Sequence, residues 1–314
     1  MSEKHKISIV TPFYNECEVV DYFYKKICAV TSEIPDIDFE LICIDDGSID
    51  NTLQQLIAIA ATDSRLHIIE LSRNFGKEAA LTAGIDAATG DAVIPIDADL
   101  QDPPEIIPEL IKNWLGGAEV VLARRVDRSS DSFLKRKTAA IFYQLHNRIS
   151  SIKIPENVGD FRLMDRIAVD TLKKLPEHHR FMKGLFGWVG FKTVTIDYVR
   201  PPRKAGATKF SGWKLWNFAI EGITGFSTAP LKFWTYFGGF GALMTLIYAI
   251  FIIVRTLIRG IDIPGYASLL VAVLFFGSLQ LISLGMLGEY IGRIYMETKN
   301  RPLYVIRKHY GEKK

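Results

Sequence analysis

Three carboxylates, Asp97, Asp99 and Asp102, stand within six positions in "PIDADLQDPPE", directly after the apolar run Ala92–Ile96. A buried charge is costly, so acids that close an apolar run need a use. Asp97 and Asp99 alternate with Ala98. Carboxylates so spaced at a strand end can meet a hard cation, Mg²⁺ or Mn²⁺, which takes few protein ligands and completes its shell with water and phosphate oxygens. Such an ion would neutralise a diphosphate leaving group. Asp102 fits a different use better. It precedes Pro103 and Pro104, and proline favours the first helical position, so the spacing predicts a helix cap.

Other polar clusters follow apolar runs in the same way. Asp45-Asp46-Gly47-Ser48 offers carboxylates to a nucleobase N–H or to ribose hydroxyls, while Ser48 or Asp50 could equally cap the next helix. In "SRNFGKEAAL", Asn74, Gly76 and Lys77 precede a helix, an arrangement suited to an anion.

The elements that must position these groups alternate. "KISIVTPFYNE", "FELICIDDGS", "LHIIELS", "DAVIPIDAD" and "AEVVLARR" read as strands. Helical spacing separates them in "VVDYFYKKICAVTSEI", "NTLQQLIAIAATD", "GKEAALTAGIDAAT" and "PPEIIPELIKNWLGG". Short apolar strands between helices predict an α/β fold with a mostly parallel sheet covered on both faces. Ligands bind such sheets at the carboxyl ends of the strands. Those ends here are Thr11–Glu16, Asp45–Ser48, Ser72–Lys77, Asp97–Asp102 and Arg124–Arg125, every one polar or charged.

The rest of the chain has another character. Phe233–Val254 carries no charge, and Gln280 is the one strongly polar side chain in Tyr266–Gly288. At about 1.5 Å per residue each crosses a ~30 Å hydrocarbon core. Lys204, Lys209, Lys214 and Lys232 precede the first span, and Arg293, Lys299, Arg301, Arg307, Lys308, Lys313 and Lys314 follow the second. The positive-inside rule then predicts both ends in the cytoplasm and the connection, with Arg255 and Arg259, outside. Trp213, Trp216, Ile220 and Ile223 recur on one helical face, as does an apolar set within Leu134–Ile149. Both segments suit helices lying in the membrane interface. The start, "MSEKHKISIVTPFYNE", lacks the apolar core of a signal peptide, which predicts a cytoplasmic first domain. Cys17, Cys28 and Cys43 have no framework spacing and read as free thiols. A net charge of +3 gives no argument for nucleic acid as a partner. The expected organisation is residues 1–210 catalytic, 211–231 interfacial, 232–290 a two-helix membrane hairpin and 291–314 a basic tail.

Taken in order, "SIVTPFYNE", "DDGS", "RNFGK" and "DADLQDPPE" resemble glycosyltransferase family 2, with its GT-A fold. "VVLARRVDRSSDSFLKR", "GDFRLMDR", "RFMKGLFGWVGF" and "RPPRKAGATKFSGWKL", with two C-terminal spans, extend the resemblance to the polyisoprenyl-phosphate glycosyltransferases. Within that group the tail "LGEYIGRIYMETKNRP" looks most like the bactoprenol glucosyltransferases. The resemblance implies a nucleotide sugar donor, a polyprenyl phosphate acceptor, Mg²⁺ or Mn²⁺, and assembly of copies, a tetramer among the options, in the inner membrane. It implies that Pro12, Tyr14, Glu16 and Asp46 hold the uridine, with Asp45, Asn74 and Lys77 also on the donor. Asp97 and Asp99 hold the metal and diphosphate, with Gln101 close to the sugar. Asp160, in "GDFR", stands near the acceptor phosphate, and Arg125, Arg136 and Lys209 meet phosphate charge. Processive relatives carry Gln-x-x-Arg-Trp. Here the comparable stretch is "EHHRFMKG", with Phe181 after Arg180, which argues for single-sugar transfer. His178 and His179 face apart on a helix and read as surface residues. A binding protein that kept the fold and lost the chemistry would not need Asp97, Asp99 and Asp160 together. A transporter would need a polar pathway that these two spans lack. UDP-glucose is the expected donor, with a UDP-linked amino sugar or GDP-mannose as alternatives.

Overall fold

The computed structural model describes residues 4–126, 158–175, 177, 182–199, 229–259 and 265–311 of the 314-residue chain. Arg136, Lys209, the His178–His179 pair and both expected interfacial helices lie outside the described residues.

The predicted alternation is present. The first half runs β1 (His5–Phe13), α1 (Val20–Ser32), β2 (Ile37–Asp45), α2 (Thr52–Ala60), β3 (Leu66–Leu71), α3 (Lys77–Ala87) and β4 (Ala92–Pro95). A 3₁₀ turn, Pro104–Ile106, leads into α4 (Ile107–Leu115) and β5 (Val120–Arg125). Then come β6 (Val158–Asp165), α5 (Arg166–Lys173), α6 (Met182–Val189) and β7 (Thr193–Tyr198). Two long helices, α7 (Ala229–Arg259) and α8 (Tyr266–Thr298), precede a last strand, β8 (Ile306–Tyr310).

All eight strands form one sheet in the order β7-β5-β6-β4-β1-β2-β3-β8. β1 pairs in parallel with β2 and β4, β2 with β3, and β5 with β7. β6 and β8 run against their neighbours. The reversal of β6 matters for chemistry, because its first residues then lie at the rim where the parallel strands end. Apolar side chains on the two faces build two cores, one around Ile7, Ile9, Phe13, Leu41 and Ile94 and one around Val10, Ile42, Ile44, Ile69 and Val93. Each such side chain fully buried contributes about 1.5–3 kcal/mol. α3 rides unusually close to the second face. A Cβ at Gly84 would stand 2.3 Å from Val10 Cγ1 and 2.4 Å from Ile44 Cδ1, so glycine there lets the helix approach β1 and β2.

Two expectations need correction. Asp102 does not cap a helix. The 3₁₀ turn begins after Pro103 without any side-chain cap bond, and the buried Asp102 carboxylate instead accepts from the Tyr198 hydroxyl. A partner 96 residues away outcompetes the local cap. Nor are residues 291–314 simply a basic tail. α8 runs to Thr298, and Ile306–Tyr310 joins the sheet beside β3. Tyr304 donates to Asp86, while Arg307 and Tyr310 both reach the buried Glu70. The edge strand is thereby covered, and its own residues are basic, which discourages further strand addition.

Residues Phe233–Val254 and Tyr266–Gly288 are helical throughout, within α7 and α8. Among the described residues one segment, Ala272–Thr298, is long and apolar enough to cross a membrane, with mean hydropathy 1.5. The described side chains of both helices include many exposed large apolar ones, Phe240, Ile247, Phe251, Leu274 and Leu281 among them. The three cysteines are free.

Candidate active site

The strand ends meet at one rim. β1 and β2 close beside each other in register, Pro12 opposite Ile44 and Phe13 opposite Asp45. The loops that follow are tied by side chains. Asn15, in the left-handed region at φ 52°, donates its N–H to Ser48 Oγ at 3.0 Å, and its Oδ1 accepts from the Ile49 N–H at 2.9 Å. The Glu16 N–H donates to Thr52 Oγ1. Asp50 accepts from the Thr52 N–H at the start of α2, but the N-cap of that helix is Asn51, without a side-chain cap bond, so neither Ser48 nor Asp50 is its cap. Tyr14 remains exposed at the rim.

The two adjacent acids have separate tasks. Asp45 is buried. Its Oδ2 accepts from the Ser48 N–H at 3.2 Å, and its Oδ1 is buried with no hydrogen-bond partner among the described residues. Burial pushes its carboxyl up, partly offset by Ser48, with Glu70 and Asp50 adding to the rise. Asp46, expected at the uridine, accepts through both its oxygens from the loop after β3. Oδ1 accepts from the Phe75 N–H at 2.7 Å and Oδ2 from the Gly76 N–H at 2.9 Å. Those amides belong to "RNFGK", so one motif holds the other. Close approach of the two loops also explains Gly47, at φ +67°. A Cβ there would lie 2.5 Å from the Arg73 carbonyl carbon and 2.7 Å from the Asn74 nitrogen. Asn74 itself is exposed.

The held loop delivers Lys77, the first residue of α3. Its Nζ lies 2.7 Å from Asp97 Oδ1, 2.9 Å from Asp97 Oδ2 and 2.7 Å from Asp160 Oδ2. Asp97 comes from the end of β4 and Asp160 from the start of the reversed β6, so three elements converge on one ammonium. Burial opposes the Lys77 charge, but Asp160 and Asp97 outweigh it and hold its pKa above the ordinary lysine value. Burial pushes Asp97 up, with Asp160 adding to the rise and Lys77 opposing it.

Asp99 and Gln101 form a second pair. Gln101 donates through Nε2 to Asp99 Oδ2 at 2.6 Å and through its backbone N–H to Asp99 Oδ1 at 3.2 Å. Leu100, between them, sits at φ 47°, an uncommon conformation for a bulky residue and one that clusters at functional sites. Arg125 closes β5 opposite Tyr198. Its neighbour Arg124 is committed to Asp197 through two bonds, at 2.7 and 2.9 Å.

Two supporting residues escaped the sequence reading. Arg162 is buried, 3.9 Å above the Phe186 ring, and donates to the carbonyls of Gly159 and Asp160 at 2.6 and 3.3 Å. It fixes the backbone that carries Asp160. Burial lowers its pKa to about 10, against the pull of Asp160, which leaves it charged at neutral pH. Tyr198 fixes Asp102 from β7. The "GDFR" motif carried a signal for Arg162, since a buried strand rarely admits an unpaired arginine. Tyr198 had none.

A divalent ion fits this rim by its donor chemistry. Among the described residues no cluster of three or more His, Cys, Asp or Glu is arranged to hold a metal ion. Yet Asp97 and Asp160 already converge on one cation, the Lys77 ammonium. Few carboxylates, with the shell completed by water and phosphate, is how Mg²⁺ sites are commonly built.

Over 303 residues the chain is 55% identical to the SfII prophage-derived bactoprenol glucosyl transferase of Shigella flexneri, covering 96% of this chain and 98% of that protein. It is 52% identical over 306 residues to an uncharacterized glycosyltransferase of Synechocystis, covering 98% and 96%. A prophage bactoprenol glucosyl transferase homolog of Escherichia coli is 54% identical, covering 96% and 99%. Among solved structures, a mannosyltransferase from Pyrobaculum calidifontis in complex with GDP-Man and Mn²⁺ aligns at TM-score 0.46 and 17% identity, covering 95% of this chain and 88% of that one. Residues 8–173, which contain the ends of β1 to β5 and the start of β6, match the model of glycosyl transferase family 2, and with near-full-length relatives of 52 to 55% identity the chain belongs to that family, on an α/β GT-A-like scaffold.

Proposed function

We propose that the chain transfers one glucosyl unit from UDP-glucose to a polyprenyl phosphate at the cytoplasmic face of a membrane, with inversion at the anomeric carbon. The observation that carries this reading is 55% identity to a bactoprenol glucosyl transferase along 96% of the chain, through the rim and both long helices. The chain has Asp97, Asp99 and Asp160 together, which disfavours an inactive scaffold.

Pro12, Tyr14, Glu16 and Asp45, at the ends of β1 and β2, receive the uridine. Asp46 serves the donor indirectly, through the loop that positions Asn74 and Lys77. The amino end of α3 and the Lys77 ammonium face the diphosphate. Asp97 and Asp99 hold Mg²⁺ or Mn²⁺, which when bound offsets the charge that builds on the leaving diphosphate. Gln101, tied to Asp99, reaches the sugar. The acceptor phosphate is already an anion at neutral pH, so no strong base is needed, and positioning with charge neutralisation carries the rate. Asp160, held by Arg162, orients the acceptor, while Arg125, Arg136 and Lys209 take phosphate charge. The phosphate attacks opposite the departing UDP, which inverts the configuration.

The membrane arrangement belongs to the same proposal. α7 and α8 form a hairpin with both chain ends on the cytoplasmic side, and copies assemble through the helices. A donor panel tests the reaction: UDP-glucose, a UDP-linked amino sugar and GDP-mannose, each with a short polyprenyl phosphate and Mn²⁺, product identified by mass. A hexose adduct from UDP-glucose is expected. An adduct from another donor alone would reassign the sugar.

A further inference from the structure

We propose that Lys77 is a resident cation that keeps Asp97 closed to free divalent metal until a nucleoside diphosphate draws its ammonium away. The inference rests on the metal reading of the same rim and adds an order of binding to it. Three carboxylate oxygens lie 2.7–2.9 Å from Nζ, the range of charge-assisted hydrogen bonds. A Mg²⁺ ion held by Asp97 would need its carboxylate oxygens at about 2.0–2.1 Å. Two cations cannot share those oxygens without strong repulsion, so one must leave. Two carboxylates facing each other without a cation would repel in turn, and the ammonium removes that repulsion while the donor is absent.

The geometry also supplies the exit. Lys77 is the first residue of the eleven-residue α3, after Gly76 at φ +97°, and its side chain is 44% exposed, against 12% for Asp160. The ammonium can therefore swing outward without disturbing the core. A diphosphate arriving at the amino end of α3 offers it more charge than the shared carboxylates do. The oxygens it abandons then become available to the metal. Nucleotide and metal should accordingly bind with strong positive coupling, each tightening the other by the same factor.

The test is Mn²⁺ binding to the full chain in nanodiscs, followed by the electron paramagnetic resonance of free Mn²⁺, with and without UDP. Wild type should bind Mn²⁺ weakly alone and much more tightly with UDP. Lys77→Gln should gain about tenfold or more in affinity for Mn²⁺ alone, because the competing charge is gone. Its UDP-dependent gain should shrink correspondingly. Lys77→Arg, which keeps a cation there, should retain weak binding of Mn²⁺ alone, and it supplies a second reading should the Gln variant fold poorly. Unchanged or weaker Mn²⁺ binding by Lys77→Gln, or a gain by Lys77→Arg equal to that of Gln, overturns the proposal while leaving the metal reading intact. Absence of Mn²⁺ binding by wild type even with UDP overturns both.

Discussion

Asp46→Asn separates a loop-holding carboxylate from a nucleotide ligand. Asp46 accepts two backbone N–H groups, from Phe75 at 2.7 Å and Gly76 at 2.9 Å. Asparagine presents one acceptor oxygen and an amino group that donates, so at most one of the two amides keeps its partner. Hydrogen bonds to charged groups contribute about 1.5–3 kcal/mol each, and an amide left buried and unpaired costs about 1–3 kcal/mol. The substitution should therefore loosen the loop by about 2–3 kcal/mol, on the order of 30- to 150-fold in the population of the held conformation. Lys77 follows that loop, so kcat/KM for the donor should fall at least about tenfold in a radiolabel transfer assay. A double-mutant cycle with Lys77→Gln supplies the sharper reading. If Asp46 acts through Lys77, Asp46→Asn should cost far less in the Lys77→Gln background than in wild type. Additive losses would refute the reasoning, and so would an Asp46→Asn enzyme with normal kinetics.

Two further outcomes follow from other parts of the sheet. Glu40 is buried, bound by Lys6 at 2.5 Å, by the Thr89 N–H at 2.7 Å and by the Ser8 hydroxyl. Burial raises its pKa, but these partners outweigh burial and bring it down to about 2, from an ordinary 4.5. A lowered folded pKa means stability that is fully present above pH 4.5 and lost as pH falls towards 2. The amount is about 3 kcal/mol, absent from the pH profile of Glu40→Gln measured by urea unfolding. Identical profiles for the two proteins would contradict it. Removing residues 304–314 should uncover the β3 edge, leave buried Glu70 without Arg307 and Tyr310, and lower the thermal midpoint with loss of monodispersity. A truncated chain with an unchanged midpoint and elution profile would show that β8 is dispensable.

What the sequence made legible was mostly local. β1 to β5 were readable because each is a short apolar run between helical segments, and the polar residues after each run marked the rim. Asp160 was readable from "GDFR". The sequence could not reveal which acids would share a cation. Lys77 precedes Asp97 by 20 residues and Asp160 by 83, and only the reversed β6 brings them together. The same holds for Asp46, whose partners lie 29 and 30 residues on, and for Asp102, whose local cap signal was overridden by Tyr198. β8 was hidden for another reason. "IRKHY" is too basic to read as a strand on its own, and it becomes one because Glu70 and the open β3 edge accept it.

In the proposed reaction, Asp97 holds a divalent ion against a sugar nucleotide so that a lipid phosphate can take the sugar. The most direct measurement is mass-resolved transfer from UDP-glucose to a short polyprenyl phosphate, by wild type and Asp97→Asn, before and after treatment with EDTA. Wild type should give a single-hexose product, lost with EDTA and restored by Mn²⁺, and Asp97→Asn should give none. Product formed undiminished in EDTA, or by Asp97→Asn, would contradict it.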